Sequence, residues 1–500
     1  MAMPYLGKQY TFSQPDGTAL YVRGWGNQHH AVFEALNGYT VLEDPTTGFY
    51  TYADVNEFGD DLVSTGIRPR TGRSHLLGIA QGARISDAAA KASAVSGGLP
   101  TGHTRWEIRR RELRETLLSA RSGITGAPPK RATTGKYIGL CLLVQFPDVP
   151  GTVARDEVER FCNQPGYAGY GNNGSVYDYF LAVSGGKLSY TNIVTPYYTA
   201  KNPRSYYTNE AIAQPKRALE LIKEALSYFK AKGFDFTGLS TDSSGYVYAT
   251  SVFYAGTRVN NWSKGLWPHA YHLATPFELL PGKRAFDYQI TDMTDALTLG
   301  TFCHENCHMV CDFPDLYDYG NESAGVGSFC LMCAGANVSE TNPTHVGAYL
   351  KYRAGWATSA ATIAPGIAVT FSGRANEFGI HRKSSTEYFI LENRQNAGRD
   401  QGLPGSGLAI WHVDELGDNQ FEEMTPQRHY ECSLVQADNR FDLERDKYNI
   451  GDATDLFTAS GNSRFGVSTA PRSHWWDGTP SGLEIHSISG VAPVITFQTS

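Results

Sequence analysis

Short aromatic and β-branched runs separated by turn residues fill the first 120 positions. Examples are Leu20-Tyr21-Val22-Arg23-Gly24-Trp25-Gly26, Tyr39-Thr40-Val41-Leu42 and Gly48-Phe49-Tyr50-Thr51-Tyr52, with Asn37-Gly38 as a turn. This pattern predicts a small antiparallel β unit. Arg105–Arg121 then carries helix formers of mixed charge, and the interleaved Glu107, Glu112 and Glu115 predict a solvated helix rather than a nucleic-acid patch. Ser122 to Gly135 is rich in Gly, Pro and Thr and contains Lys130-Arg131, which reads as an exposed, protease-sensitive linker. Ile138 to Val144 is almost continuously apolar, as a central strand buried on both faces must be. Helical periodicity follows at Ser175–Ser184 and at Pro215–Lys232, where Leu219, Ile222, Leu226 and Phe229 form one stripe. Tyr246–Tyr254 reads as a strand and Thr291–Asp312 as a helix. From about Ala360 onward, short strands such as Tyr388–Leu391, Gly407–Trp411 and Val494–Phe497 predict an all-β, sandwich-like module. The expected division is a β-rich unit with a terminal helix over 1–121, a linker over 122–135, a central domain over 136–358 and a β module over 359–500. The fold class is therefore multidomain α+β.

Composition narrows the function classes. A chain of 500 residues with 41% hydrophobic positions builds real cores, which excludes disordered, collagenous and coiled-coil proteins. A net charge of −7 gives no reason to expect nucleic acid as a partner. The run from Ile138 to Val144 is far shorter than the ~20 residues that span a bilayer, so no transmembrane segment is expected. Met1-Ala2-Met3-Pro4-Tyr5 lacks a basic and an apolar signal region. Abundant Gly and Tyr nevertheless suit an exported enzyme whose signal has been removed or replaced.

The eight cysteines are Cys141, Cys162, Cys303, Cys307, Cys311, Cys330, Cys333 and Cys432. Eight in a chain this long is not a disulfide scaffold. One or two disulfides, or buried thiols bracing loops, are expected ahead of a redox or zinc role for Cys330-Leu331-Met332-Cys333.

His304-Glu305-Asn306-Cys307-His308 is an HExxH, a pattern that random order would produce roughly 0.02 times in such a chain. On a helix, residues four apart share a face, so both imidazoles reach one ion while Glu305 stands beside it to take a proton from water. Zinc needs a third protein ligand and an open fourth position. The HExxHxxGxxH continuation fails, since Cys311 and Pro314 hold its eighth and eleventh places. Asp315, just past the Pro314 break, is the best-placed third ligand, followed by Asp312. A Glu from a later helix would have to be Glu322 or Glu340, and of the cluster Asp312, Asp315 and Asp318 at least one reads as turn-capping or solvated.

The stretch HENCHMVCDFPDLYDYG resembles the immune inhibitor A family of secreted bacterial metallopeptidases, with their HExxH and following PDLYD. Ser175–Phe180 with Gly186-Lys187-Leu188, Gly325–Gly335, Glu387–Arg394, Leu403–His412 and the N-terminal Gln14–Gly26 with Gly38-Tyr39-Thr40 are similar to further segments of that family. The resemblance implies a zincin-like catalytic domain, a mixed sheet with an active-site helix. It implies one catalytic zinc held by His304, His308 and Asp315, with Glu305 as general base and Met332 in a methionine turn. It also implies a latent zymogen whose pro-region is removed within the linker, acting as an endopeptidase on protein or peptide substrates; a monomer is the default. The chain departs from the family pattern at Cys311, where Gly is usual, and by one additional residue before Pro314-Asp315. A pro-region without cysteine excludes a cysteine switch. Of a calcium-loop-like segment only Asp242 and Gly245 remain, and Asp446–Asp455 is a second candidate for calcium. Tyr317, Tyr319 and His345 are candidate oxyanion donors. Two alternatives are a non-catalytic surface or carbohydrate-binding protein using Trp411 and Trp475-Trp476, and a zinc hydrolase acting on a non-peptide bond.

Overall fold

Alternation with period two in the first 64 residues becomes a sequential antiparallel meander of β1 (Tyr5–Ser13), β2 (Ala19–Gly26), β3 (Ala31–Ala35), β4 (Thr40–Glu43), β5 (Tyr50–Val55) and β6 (Leu62–Ser64). Phe12, Val22, Val41, Tyr50 and Tyr52 form its core. Two helices follow, α1 (Asp87–Ser96) and α2 (Arg105–Arg121). The computed structural model describes residues 4–27, 30–69, 78–96, 103–121, 132–259, 264–294, 296–320, 322–373 and 376–500.

The apolar run at 138–144 lies inside β7 (Gly135–Gln145), between β8 (Leu188–Thr199) and β9 (Thr250–Ala255) and parallel to both. The sheet continues through β11 (Lys283–Met293), parallel to β9, to the antiparallel edge strand β10 (His269–Leu280). Alternate residues of β7 feed two cores. Leu140, Leu142 and Val144 pack with Leu221, Ile222 and Phe229 on one face; Cys141 and Leu143 pack with Phe161, Tyr179 and Phe302 on the other. The helices involved are α3 (Arg155–Asn163), α4 (Val176–Val183), α5 (Arg204–Tyr207), α6 (Lys216–Ala231) and α7 (Leu299–Cys311). Helix α4 starts where Ser175 and Asp178 exchange side-chain to backbone hydrogen bonds of 3.1 and 2.8 Å, a capping box.

The helix expected over 291–312 is shorter. Gln289–Met293 pair with Ser251–Ala255, so sheet hydrogen bonds claim the chain before α7 begins. Of the expected linker, 122–131 lies outside the described residues. Thr133 is buried rather than exposed: its N–H donates to Ala354 O, and its carbonyl accepts the Trp356 indole N–H at 2.8 Å.

Beyond 358 the chain forms β12 (Ser359–Thr362), β13 (Ala368–Ser372), β14 (Glu377–Arg382), β15 (Glu387–Arg394), β16 (Gly407–Asp414), β17 (Cys432–Leu434), β18 (Ile485–His486) and β19 (Val494–Thr499). They make a five-stranded sheet, β12-β14-β15-β16-β17, and a three-stranded sheet, β13-β19-β18. Phe389, Leu391 and Ile410 face Phe371, Ile495 and Phe497 of the smaller sheet. Their neighbours Tyr388, Ile390, Ala409, Trp411 and Val413 point the other way, into the core that contains α7. The molecule is thus a sheet-rich mixture of α and β, and among the described residues no helix is long and apolar enough to cross a membrane.

All eight cysteines are buried free thiols, the second of the two expected arrangements and not the disulfides. Burial pushes the Cys330 thiol up to about 11 and that of Cys333 to about 12. Neither offers the thiolate that zinc or redox chemistry needs. The pair packs the loop above β15.

Trp411 is completely buried and donates its indole N–H to Glu392 Oε1 at 3.0 Å. Trp411→Ala is expected to lower the stability of the transition that exposes this core by about 3–5 kcal/mol. Urea unfolding followed by Trp fluorescence and circular dichroism measures it, and a change below about 1 kcal/mol refutes the packing described.

Candidate metal centre

Every side chain from Phe302 to Cys311 is buried, and the i, i+4 spacing puts His304 and His308 on one face of α7. The helix ends where Asp312 adopts a left-handed conformation (φ 57°, ψ 33°), its N–H donating to Cys307 and His308 carbonyls. Asp tolerates this region better than most residues. The reversal, one turn ahead of Pro314, brings the Phe313 carbonyl to His308 Nδ1 at 2.6 Å and swings Asp315 back beneath the imidazoles. Gly325 (φ +60°) lets this loop pass, because a Cβ there would stand 2.1 Å from Leu316 O.

The His304 Nδ1 meets the Leu331 carbonyl at 2.9 Å. A carbonyl only accepts, so both Nδ1 atoms carry hydrogen and both Nε2 atoms present bare lone pairs. Those atoms lie 3.2 Å apart, and Asp315 Oδ1 sits 3.1 Å from one and 3.2 Å from the other. Four-coordinate zinc with bonds of about 2.0 Å has ligand atoms about 3.3 Å apart, the edge of its tetrahedron. The donor set therefore fits zinc: with both imidazoles neutral, three buried atoms aim lone pairs at one point. Asp315 Oδ1 and Glu305 Oε2 are buried without a hydrogen-bond partner, which in a native interior calls for an ion or water. The other Asp315 oxygen accepts the Tyr319 hydroxyl at 2.7 Å. Met332 is buried in the irregular turn 331–335, between the carbonyl that holds His304 and the 316–317 loop, whose Leu316 N–H donates to Met332 O.

Protons fill the cation's place electrostatically. Burial lowers the affinity of His304 for a proton, but hydrogen bonding and charge from Asp315 outweigh it and the pKa rises. Burial likewise opposes ionisation of Asp315, yet His308 and His304 hold its carboxyl well below the ordinary value.

A roof closes the centre. The exposures of His304, Glu305, His308 and Asp315 are 0, 2, 1 and 1%. Trp106 stacks on the His308 ring at 4.7 Å. The backbone N–H groups of Arg105 and Trp106 donate to Asp287 on β11 at 2.8 and 3.3 Å, capping α2 from a distant strand. Burial nonetheless raises the Asp287 carboxyl to about 7. Arg109 grips Asp312 at 2.9 and 2.7 Å and Asp242 at 3.3 Å. Arg110 pairs with Glu431, and Arg114 donates to the carbonyls of Glu415, Leu416 and Gly417. Helix α2 is therefore not solvated all round, as its charge pattern suggested. Arginine at 105, 109, 110 and 114 faces the protein, while Arg111, Glu112 and Glu115 face water.

Several expected residues stand elsewhere. Asp312 is the helix cap held by Arg109, not a third ligand. Glu322 pairs with Lys91 at 3.0 Å and Glu340 with Lys8, so neither is a thermolysin-like ligand. Asp318 accepts the N–H groups of Gly320 and Ser323 in its own turn. His345 lies behind the 331–335 turn, its N–H on Asp400 and its ring held near pKa 3 by burial. Tyr319 is committed to Asp315, and burial followed by the Asp315 charge keeps the Tyr317 phenol protonated. At the first calcium candidate, Asp242 accepts Ser244 and Tyr246 N–H and takes two arginines. At the second, the carboxylates that converge are Asp438, Asp442 and Asp452, with Arg440 laid across them.

Reading the sequence overlooked Asp287 and Trp106. The available signal was the alternation of Asp287 and Gln289, polar but buried, in the strand leading to the HExxH helix. No protein-family model matches the chain, and no curated protein matches it.

In the metal-free chain the raised His304 contributes stability that is complete below about 6.5 and fades as pH rises through its folded value. Asp315 contributes stability present above about 3.8 and lost as pH falls toward its depressed value. Zinc competes with these protons. The zinc-induced rise in Tm is expected to be larger at pH 8 than at pH 5, and equal rises in calorimetry would show that the ion binds elsewhere.

Proposed function

We propose that the chain is a zinc-dependent endopeptidase of the secreted, immune inhibitor A-like kind, synthesised as a latent zymogen. The observation that carries this reading is the convergence of two imidazole lone pairs and one carboxylate oxygen with Glu305 alongside. The central sheet with its single antiparallel edge strand, followed by α7, supports a zincin-like domain.

A zinc ion in this site supplies Lewis acidity toward a scissile carbonyl and a water. His304, His308 and Asp315 hold it and leave one position open. Glu305 takes a proton from the attacking water and passes it to the leaving amine as the C–N bond breaks. Water becomes the hydroxyl of the new carboxyl group, so atoms and charge balance. With the centre sealed beneath Trp106 and α2, no peptide reaches it. Departure of residues 1 to about 131 then follows cleavage in 122–131.

Of the tryptophans named for a sugar-binding role, Trp475 stacks on His381 and Phe389 and Trp476 on His412 and His429, so both rings are engaged within the protein.

Chain cut within 122–131 is expected to digest casein, to stop with a zinc chelator and to resume on zinc addition, while uncut chain stays silent. Glu305→Gln should keep one zinc per chain yet lose about 10²–10⁴-fold or more in peptide cleavage. Near-wild-type turnover in that variant removes Glu305 from the role.

A further inference from the structure

We infer that Tyr319 is a positioning residue that keeps Asp315 a one-oxygen ligand and so sets both the affinity and the identity of the bound ion. The inference rests on the metal-site reading above and adds a residue to it.

The two oxygens of Asp315 live in different surroundings. Oδ1 faces both imidazoles at 3.1 and 3.2 Å and receives no hydrogen bond. Oδ2 accepts the Tyr319 hydroxyl at 2.7 Å, and the Tyr317 hydroxyl is a second phenol that hydrogen-bonds this carboxylate. A carboxylate oxygen only accepts, so the Tyr319 phenol is the donor in its bond.

Tyr319 does not owe its position to this bond alone. Its N–H donates to Gln420 O at 3.0 Å, and its carbonyl accepts Asn27 Nδ2 at 3.1 Å. The ring packs edge-on against Phe421 at 5.5 Å and against Tyr317 at 5.3 Å, and the residue is buried. The donor is preorganised by two distant segments and by its neighbour Tyr317, so aiming the carboxylate costs little extra ordering.

Denticity follows. A carboxylate with two free oxygens can chelate, and chelation favours large hard cations that accept six to eight oxygens. A carboxylate with one oxygen committed to a phenol offers a single lone pair, which suits a small four-coordinate ion and leaves the fourth place open. The hydrogen bond thus discriminates for zinc and against calcium or manganese.

The test uses full-length protein, wild type and Tyr319→Phe, with zinc affinity measured against a chromophoric chelator. Cobalt(II) spectra report coordination number, and Tm without metal reports folding. The expected result is a retained fold with a modestly lower metal-free Tm, since Asp315 Oδ2 loses a buried donor, zinc affinity weaker by about 10–100-fold, and a weaker cobalt absorption as coordination rises above four. The same substitution in an Asp315→Asn background should add little, because Tyr319 acts through that carboxylate. Unchanged affinity and cobalt spectrum in Tyr319→Phe, or an equal loss on both backgrounds, overturns the inference while leaving the metal centre standing. Wild-type protein that binds no zinc overturns the centre and this inference together.

Discussion

Two hydrogen bonds from imidazole to backbone carbonyl determine what this molecule can do. Because Leu331 O and Phe313 O take the Nδ1 protons, the lone pairs of His304 and His308 must converge, and Asp315 adds a third. Three acceptors within 3.2 Å of each other, away from water, repel one another unless a cation joins them. The surrounding backbone is arranged to enforce that proximity. The left-handed residue at Asp312 turns the chain, Gly325 lets it pass, and the irregular turn at 331–335 presents the second carbonyl. A site built by strained backbone and buried acceptors is stable only with its positive charge in place, whether proton or metal.

The roof obeys the same electrostatic logic with the signs reversed. Arg109 bridges Asp242 and Asp312, so the residue that caps α7 also anchors the N-terminal unit. Buried ion pairs contribute little net stability when intact, but losing one partner costs about 3–5 kcal/mol. Lifting α2 would strip donors from Asp242, Asp287 and Asp312 alike, which is what holds the roof to the body of the chain.

How much of this was legible in the residues differs from element to element. The apolar run of β7, the capped helix α4 and the stripe of α6 were readable because local pattern and tertiary burial agree there. The HExxH spacing by itself put both imidazoles on one face, and the Pro314 break drew attention to Asp315. The start of α7 was misplaced because 291–293 are satisfied by pairing with β9, information that resides in another part of the chain. The docking of α2 was hidden for a related reason. A basic face looks the same in sequence whether its partners are water or buried carboxylates of Asp242, Asp312 and Glu431. Asp287 left only its alternation with Gln289 as a sign, since nothing local says that a strand carboxylate caps a helix so far back in the chain.

The C-terminal sheets belong to the site's scaffold rather than to a separable appendage. A chain of hydrogen bonds runs from β15 to the metal centre. Arg394 donates to Asp400 at 2.9 Å, Asp400 accepts the His345 N–H at 2.9 Å, the Leu331 N–H donates to His345 O at 3.1 Å, and Leu331 O receives His304 Nδ1 at 2.9 Å. Arg394 also donates to Phe329 O, just before the same turn. The links at Arg394 and His304 are buried and that at His345 is half-buried, and an unmade hydrogen bond in a buried link costs about 1–3 kcal/mol. The orientation of a first ligand is therefore fixed by a strand nearly a hundred residues downstream. On its other side the 418–431 loop fixes Tyr319 through Gln420 and Phe421. One ligand is held from each side by the same module, so the geometry between them is a property of the whole chain and not of the short motif that announces it.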